Sequence, residues 1–183
     1  MTLTVGVIGI DHRHIFGQLD NMQSHGCVCK GWYTDGEPQP IEGFIKRFPD
    51  IPRVADPQTL LQDPEIDMIL IADIPSRRAD VAIAAMKAGK DVMTDKPGCT
   101  TLDQLSALRA CVAETGRIWS IDFSERFEVP AVTRAAELIA EGAIGTVIQT
   151  AGLGPHRLNL PTRPDWFFDE KAYGGILTDI ASH

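Results

Sequence analysis

Two polar side chains near the end of the sequence lie four residues apart, a spacing that places them on one face of a helix. Asp179 and His183 occupy these positions, and on a helix their Cβ atoms would be about 6 Å apart. An imidazole titrates near neutral pH and suits general-base work, while a carboxylate can orient the imidazole or a reacting hydroxyl. Such pairs are also common on solvent-exposed helix surfaces, so the spacing alone leaves both interpretations open.

Lys96 is a second candidate for chemistry. It follows the short β-rich segment 91–94 and precedes Pro97, which is a candidate for a cis peptide bond. An ammonium at this place projects from the carboxyl edge of a parallel sheet, where ligands bind in open α/β folds. Without further signals, a solvent-exposed surface lysine is the more common explanation.

The turn after the first predicted strand is a candidate dinucleotide site. The usual fingerprint is G-x-G-x-x-G, in which free N–H groups at a helix N-terminus bind a pyrophosphate. Only the first glycine is present in this turn, which reads Gly9-Ile10-Asp11-His12-Arg13-His14. Asp11 replaces the glycine that lets the backbone approach the phosphates, and its charge is expected to repel them. The two histidines and Arg13 could supply compensating donors, but we favour a solvated helix cap.

Asp35 ends the second predicted strand. A carboxylate at this place accepts both hydroxyls of an adenosine ribose and disfavours a 2′-phosphate. Gly36 follows and offers no cation for that phosphate, so we expect NAD, with NADP as the less favoured cofactor. The alternative is that an aspartate before a glycine is simply a turn residue.

Strands and helices are predicted to alternate through the first two thirds of the chain. Apolar, β-rich segments indicate strands at 3–9, 28–33, 66–72, 91–94 and 117–123, and helical spacing indicates helices near 15–22, 44–48, 79–86 and 102–112. This alternation is typical of βαβ units that form a parallel sheet covered on both faces. We therefore predict an α/β fold, with a doubly wound, Rossmann-type sheet over residues 1–123.

The pattern changes after residue 123. A helix is expected over 132–139, a strand over 145–152, a Pro- and aromatic-rich loop over 155–173 and the opening of a helix over 176–183. We interpret residues 124–183 as the incomplete beginning of a second, α+β substrate domain. His156 and Trp166 are weaker candidates for substrate contacts, because a loop histidine often has no role and loop aromatics are more often local core.

Composition excludes several classes of protein. The 183 residues are 44% hydrophobic and 23% charged, with a formal net charge of −8, which is ordinary for a globular protein. The acidic balance argues against a nucleic-acid partner, and no apolar run approaches the roughly 20 residues that span a membrane. No signal peptide is recognised, so we expect a cytoplasmic protein. The four cysteines show no metal-knuckle spacing, and we expect no metal.

Three motifs taken together resemble the glucose-fructose oxidoreductase/inositol dehydrogenase family, also called Gfo/Idh/MocA. Segment 88–97 (AGKDVMTDKP) is similar to the family's A-G-K-x-V-x-x-E-K-P signature, and segment 139–145 (IAEGAIG) resembles the passage into its second domain. Segment 174–183 (GGILTDIASH) matches G-G-x-L-x-D-x-x-x-H. The sequence departs from the family at Asp95, which stands for the glutamate of E-K-P, and in the degraded glycine-rich turn.

The resemblance implies an NAD-dependent oxidoreductase that transfers a hydride between nicotinamide and a carbinol carbon of a sugar, an inositol or a related polyol. It implies catalytic roles for Lys96, Asp179 and His183, with Lys96 also contacting the nicotinamide ribose. Members commonly pair through the second-domain sheet, so a homo-oligomer is expected of the full-length protein. The implied cofactor contacts are Gly9, Ile10, Asp11, His12, Arg13, His14, Asp35, Ala72, Lys96 and Pro97.

Two alternative functions remain open. Some relatives hold NAD tightly and recycle it, which gives net lyase or glycoside-cleaving chemistry. The degraded turn also fits a non-catalytic sensor or regulator that kept the fold, and Asp11 is the feature that discriminates, because a failure to bind any dinucleotide would favour the sensor. The presence of Lys96, Asp179 and His183 favours an enzyme.

Overall fold

The first part of the chain forms a parallel sheet of five strands in the order β2-β1-β3-β4-β5. A computed structural model describes residues 2–153 and 157–183. The strands are β1 (Thr4–Ile8), β2 (Val28–Tyr33), β3 (Met68–Ile71), β4 (Asp91–Asp95) and β5 (Trp119–Asp122). Every neighbouring pair is parallel, and β1 lies beside both β2 and β3, so the chain crosses over at β1. The predicted α/β class and Rossmann-type sheet are confirmed.

Both faces of the sheet are buried. Successive residues of a strand point to opposite faces, and in β3 Ile69 and Ile71 join one core cluster while Leu70 joins the other. All three side chains are fully buried. A near-continuous apolar run is what a parallel strand needs when helices cover it on both sides, which explains why these strands could be found from composition.

The helices of the first part connect the strands. They are α1 (His14–Ser24), α2 (Ile41–Arg47), α3 (Gln58–Leu61), α4 (Arg78–Lys87) and α5 (Leu102–Thr115). Helix α5 shows why the boundaries fall where they do: the Thr101 side chain accepts the N–H of Gln104, and Gly116 ends the helix with a φ of 65°. In the described part of the chain, no helix has both the length and the apolar character needed to cross a membrane.

The second part is built from short helical segments. They are α6 (Ser124–Phe127), α7 (Pro130–Ala140), α8 (Glu170–Tyr173) and α9 (Ile176–Asp179), with 3₁₀ turns at Leu160–Thr162 and Asp165–Phe168. The predicted strand over 145–152 is wrong, because the described residues give this segment no hydrogen-bonding neighbour and Ile148 is 89% exposed. The helix expected over 176–183 is confirmed only for its first turn. A domain boundary between residues 123 and 124 stays a prediction.

Candidate active site

The turn after β1 is held against the ends of the two neighbouring strands. Gly9 donates its N–H to the Tyr33 carbonyl at 2.8 Å, and His12 donates its N–H to the Ala72 carbonyl at 2.8 Å. Gly9 has a φ of 80°, and a Cβ added there would lie 2.4 Å from the Cβ of Asp73. The one retained glycine is therefore required by close approach. Ile10 is fully buried, so only its backbone is available to a ligand.

Asp11 carries less negative charge than the sequence suggests. Burial and the neighbouring Asp73 carboxylate raise the pKa of Asp11 to about 7, against the opposing effect of the Arg77 guanidinium. The expectation that Asp11 repels a phosphate assumed an ionised carboxylate. Near neutral pH the group is only partly ionised, so the repulsion is weaker than predicted.

His12 and His14 both contact the buried carboxylate of Asp95 at the end of β4. The Nδ1 atom of His12 lies 2.8 Å from one carboxylate oxygen, and the Nδ1 atom of His14 lies 2.8 Å from the other. Burial lowers the pKa of His12, whereas the hydrogen bond to Asp95 outweighs burial and raises the pKa of His14. The interpretation as a solvated cap is wrong for both histidines, because the end of a distant strand supplies their partner. Arg13 is exposed.

The buried side chain of Arg78 holds the Asp95-Lys96-Pro97 segment in place. Its side chain is 1% exposed and donates to the carbonyls of Asp95, Lys96 and Pro97 at 2.7–3.1 Å and to the Asp95 carboxylate at 3.0 Å. Burial alone would raise the pKa of Asp95, but Arg78 and the two histidines outweigh it and hold that pKa well below its usual value. Arg78 could not be identified as a site residue from the sequence, because an arginine at the start of a helix gives no local sign of burial.

The ligand atoms of His12, His14 and Asp95 lie within 4.8 Å of one another, which is close enough to hold a metal ion. Both Asp95 oxygens already face imidazole nitrogens, and the Arg78 guanidinium donates to one of them. A fixed cation at 3.0 Å disfavours a metal ion on the same carboxylate. The geometry therefore favours a hydrogen-bonded carboxylate, and the absence of a metal stays a prediction.

Lys96 and Asp179 form a buried ion pair between the two parts of the chain. The Lys96 Nζ donates to one oxygen of Asp179 at 2.7 Å, and the hydroxyl of Tyr173 donates to the other at 2.6 Å. Burial would raise the pKa of Asp179, but these two hydrogen bonds outweigh it and lower that pKa. The peptide bond between Lys96 and Pro97 is cis, as the sequence suggested. Tyr173 was not identified from the sequence, where it is one of several loop aromatics.

His183 lies beyond the end of α9 and faces a different partner. Its Nδ1 atom is 3.0 Å from a carboxylate oxygen of Glu125, and its ring packs edge-on against Phe123, with 5.5 Å between the centroids. The prediction that Asp179 and His183 share a helix face is wrong, because α9 ends at Asp179. Glu125 was not identified as a site residue from the sequence, and the structure places it against His183.

A cavity of about 420 Å³ lies at the end of β2. Asp35 is exposed at its rim, and an Arg77 nitrogen lies 3.8 Å from an Asp35 oxygen. Arg53 donates to the Gly36 carbonyl at 2.9 Å. Gly36 itself offers no cation, as the sequence indicated, but Arg53, 17 positions further along the chain, brings a guanidinium to its carbonyl. The cavity is lined by Tyr33, Thr34, Asp35, Gly36, Arg53, Val54 and Ala55.

A cavity of about 450 Å³ separates the β1 turn from the loop before α8. The Trp166 and His12 rings both line this cavity, with 6.4 Å between their centroids, and a contact of Trp166 with substrate stays a prediction. His156 lies outside the described residues. The wall is rich in cationic and polar groups; it consists of Asp11, His12, Arg13, His14, Gln39, Arg157, Asn159, Thr162, Arg163, Pro164 and Trp166.

Known proteins resemble the chain in sequence. The chain is 34% identical to the scyllo-inositol 2-dehydrogenase (NAD(+)) of Bacillus subtilis, over 98% of its own length and 50% of the relative's. It is 30% identical to the levoglucosan dehydrogenase of Pseudarthrobacter phenanthrenivorans, over 82% of the chain and 39% of that protein. The chain thus spans about half, or less, of the length of these relatives.

Solved structures resemble it as well. An oxidoreductase structure from Erwinia carotovora atroseptica superposes with a TM-score of 0.93 at 40% identity, over 98% of this chain and 54% of that one. The complex of levoglucosan dehydrogenase with NADH and levoglucosan superposes with a TM-score of 0.76 at 26% identity, over all of this chain and 52% of the other.

Two family models match most of the chain between them. The model of the oxidoreductase family with an NAD-binding Rossmann fold matches residues 34–123, and the Gfo/Idh/MocA C-terminal domain model matches residues 132–183. These matches fall in the order that the three sequence motifs require, and the parallel sheet has the corresponding fold. The chain belongs to the Gfo/Idh/MocA family of oxidoreductases.

Proposed function

We propose that the protein is an NAD-dependent oxidoreductase that acts on a carbinol carbon of a sugar, an inositol or a related polyol. The observation that carries the proposal is the buried ion pair between Lys96 and Asp179, at the carboxyl edge of β4 and beside the β1 turn. In open α/β sheets, ligands bind at this edge where the chain crosses over. Dehydrogenases of polyols and sugars among the relatives support the same substrate class.

The described residues fit a dinucleotide. The N-terminus of α1 is open towards the 450 Å³ cavity, and the 420 Å³ cavity at Asp35 suits an adenosine. The groups that would hold the cofactor are the backbone of residues 9–14, the carboxylate of Asp35 and the backbone at Ala72, Lys96 and Pro97. A bound nicotinamide supplies the hydride acceptor or donor.

The side chains of this protein stabilise the substrate oxygen and take up its proton. Lys96 has further N–H donors beside the one that Asp179 accepts, and these stabilise a substrate oxygen as it becomes an alkoxide. Asp179 keeps the ammonium in place. His183 accepts the hydroxyl proton, with Glu125 at 3.0 Å stabilising the imidazolium that forms. Trp166 excludes water from one side of the site.

We propose NAD as the preferred cofactor on the strength of Asp35. A carboxylate beside the ribose accepts hydroxyl protons and repels a 2′-phosphate. Arg53 and Arg77 oppose this preference, but Arg53 is engaged with Glu37 at 3.0 Å and with the Gly36 carbonyl. Relatives named for NAD and for NADP both exist, so the two cofactors should be compared directly.

The test is to replace Lys96 in the full-length protein. Wild-type protein is assayed for NAD+ reduction with scyllo-inositol, levoglucosan and D-xylose, and binding of NADH and NADPH is titrated by fluorescence. We expect K96A to lower kcat/KM by about a hundredfold to a thousandfold, the usual range for a removed electrostatic stabiliser. The variant should stay folded at the assay temperature but unfold at a lower temperature than wild type, because the Asp179 carboxylate loses its cation. The matched control is K87A, because Lys87 is an exposed lysine on α4.

Each result points to one function. Unchanged turnover in K96A would remove the proposed mechanism. Turnover of a glycoside or elimination substrate without net NADH accumulation would favour the cofactor-recycling lyase. Wild-type protein that binds neither dinucleotide and turns over no polyol would favour the sensor.

A further inference from the structure

Tyr173 lies at the centre of the contact between the two parts of the chain, and neither the sequence motifs nor the proposed mechanism uses it. Its side chain is 8% exposed, and its hydroxyl donates to the Asp179 oxygen that Lys96 does not contact. The two donors therefore occupy one carboxylate oxygen each. A carboxylate held in this way has one side-chain orientation and stays ionised although it is buried.

The position of Tyr173 is fixed by its surroundings as well as by this hydrogen bond. Its ring packs on Phe167, with 4.2 Å between the centroids, and the Trp166 ring lies 6.5 Å away. Directly after it, Gly174 has a φ of 82°, and a Cβ added there would lie 2.6 Å from a methyl carbon of Thr100. The backbone next to Tyr173 is thus pressed against the segment that follows Lys96, which aims the hydroxyl at Asp179.

Among the residues that the structure describes, few charged groups face Asp179 and Tyr173. Asp179 faces the Lys96 ammonium after β4, the Tyr173 hydroxyl from α8 and the His12 imidazole from the β1 turn. Tyr173 faces Asp179 and, further off, the Arg163 guanidinium, which stacks on Phe167 at 4.3 Å. Of these groups, Tyr173 is the neutral donor that holds the second oxygen of Asp179.

We propose that Tyr173 is a positioning residue that holds Asp179 against Lys96, so that the ammonium meets the substrate oxygen in a single geometry. Its effect on turnover rests on the proposed function, whereas its effect on Asp179 does not. Loss of the hydroxyl leaves a buried carboxylate oxygen without its donor. Asp179 then binds a proton more readily, and a protonated Asp179 no longer attracts Lys96.

The experiment compares Y173F with wild type and with S182A in the full-length protein. Ser182 is a matched control because its hydroxyl donates to the backbone carbonyl of Asp179, at 3.2 Å, and not to the carboxylate. Thermal unfolding is measured from pH 4 to pH 8. We expect Y173F to unfold about 2–4 °C below wild type at pH 7 and the difference to shrink towards pH 4, where Asp179 of the variant becomes protonated.

The rate of NAD+ reduction with the best polyol is then measured over the same pH range. We expect Y173F to lower kcat/KM about tenfold at pH 7 and to move the acid limb of the profile upward by about one pH unit, with S182A unchanged. A difference in unfolding temperature that is the same at every pH would show a structural role and overturn the proposal, as would an unshifted acid limb. If the unfolding result holds but wild type oxidises no polyol, the proposed function fails and the contact between Tyr173 and Asp179 stands.

Discussion

Residues 2–123 and the described residues of 124–183 hold their polar groups in different ways. In the first region, Asp95 is buried, and its partners Arg78, His12 and His14 all belong to the same region. In the second, Asp179 is ordered through Lys96, which belongs to the first region. Helix α4 has five buried residues, whereas α7, which is of similar length, has none.

The difference shows which region determines the site. A buried ionic group stays fixed when packed elements surround it on all sides, and the first region provides this for Asp95. The second region has few buried side chains of its own among the described residues; Tyr173 and Asp179 are two of them, and both lie at the contact with the first region. The first region therefore acts as the template on which Tyr173 and Asp179 of the second region are ordered.

The largest expected effect is that of replacing Arg78, the cation that holds the buried Asp95 carboxylate in the first region. We expect R78M to lower the free energy of unfolding by about 3–5 kcal/mol, because it leaves the buried Asp95 carboxylate without its cation. Urea unfolding measures it. The control is R77M, since the Arg77 side chain is 52% exposed and its loss should cost less than about 0.5 kcal/mol. Equal costs for the two variants would contradict the role of Arg78.

The same leucine-to-alanine substitution, made once in each region, tests whether the two regions differ in burial. Leu70 is fully buried in β3 and Leu153 is 99% exposed. We expect L70A to destabilise this 183-residue chain by about 2–5 kcal/mol, because it opens a cavity in the core, and L153A to change stability by less than about 0.5 kcal/mol. Both values come from urea unfolding. Similar costs at the two sites would show that the second region is buried in solution.

The smallest effect concerns the pH dependence of cofactor binding at the β1 turn. The raised pKa of Asp11, about 7 in the folded protein, means that its carboxylate gains charge as pH rises from 6 to 8. We expect NADH affinity to fall about three- to tenfold over this range and D11N to remove that fall. Fluorescence titration measures it, with D80N, an exposed carboxylate on α4, as the control. A wild-type affinity that does not vary with pH would contradict the placement of Asp11 at the pyrophosphate.

The stability of the fold also depends on pH, with opposite signs for Asp11 and Asp179. A raised pKa of Asp11 contributes stability that is present at low pH and lost as pH rises through about 7. The lowered pKa of Asp179 contributes stability that is present at neutral pH and lost as pH falls. Acidification should therefore weaken the contact between the two regions while it stabilises the β1 turn.

The sequence by itself determined the strands of the sheet, the helices between them and the family motifs. It did so because a parallel strand buried on both faces is a short apolar run, and a helix covering it repeats its apolar residues at regular spacing. Lys96 could be placed at the sheet edge for the same reason, since its position follows from where β4 ends.

Only the tertiary structure decided which polar groups meet. Lys96 and Asp179, which form an ion pair, are 83 residues apart in sequence. Arg78 is 17 residues before its partner Asp95, and Arg53 is 17 residues after its partner Gly36. Local patterns record backbone preference and contact with solvent, whereas a pKa such as that of Asp11 depends on burial and on charges brought in by other elements. The spacing of Asp179 and His183 predicts a shared helix face only where the helix continues, and α9 ends at Asp179.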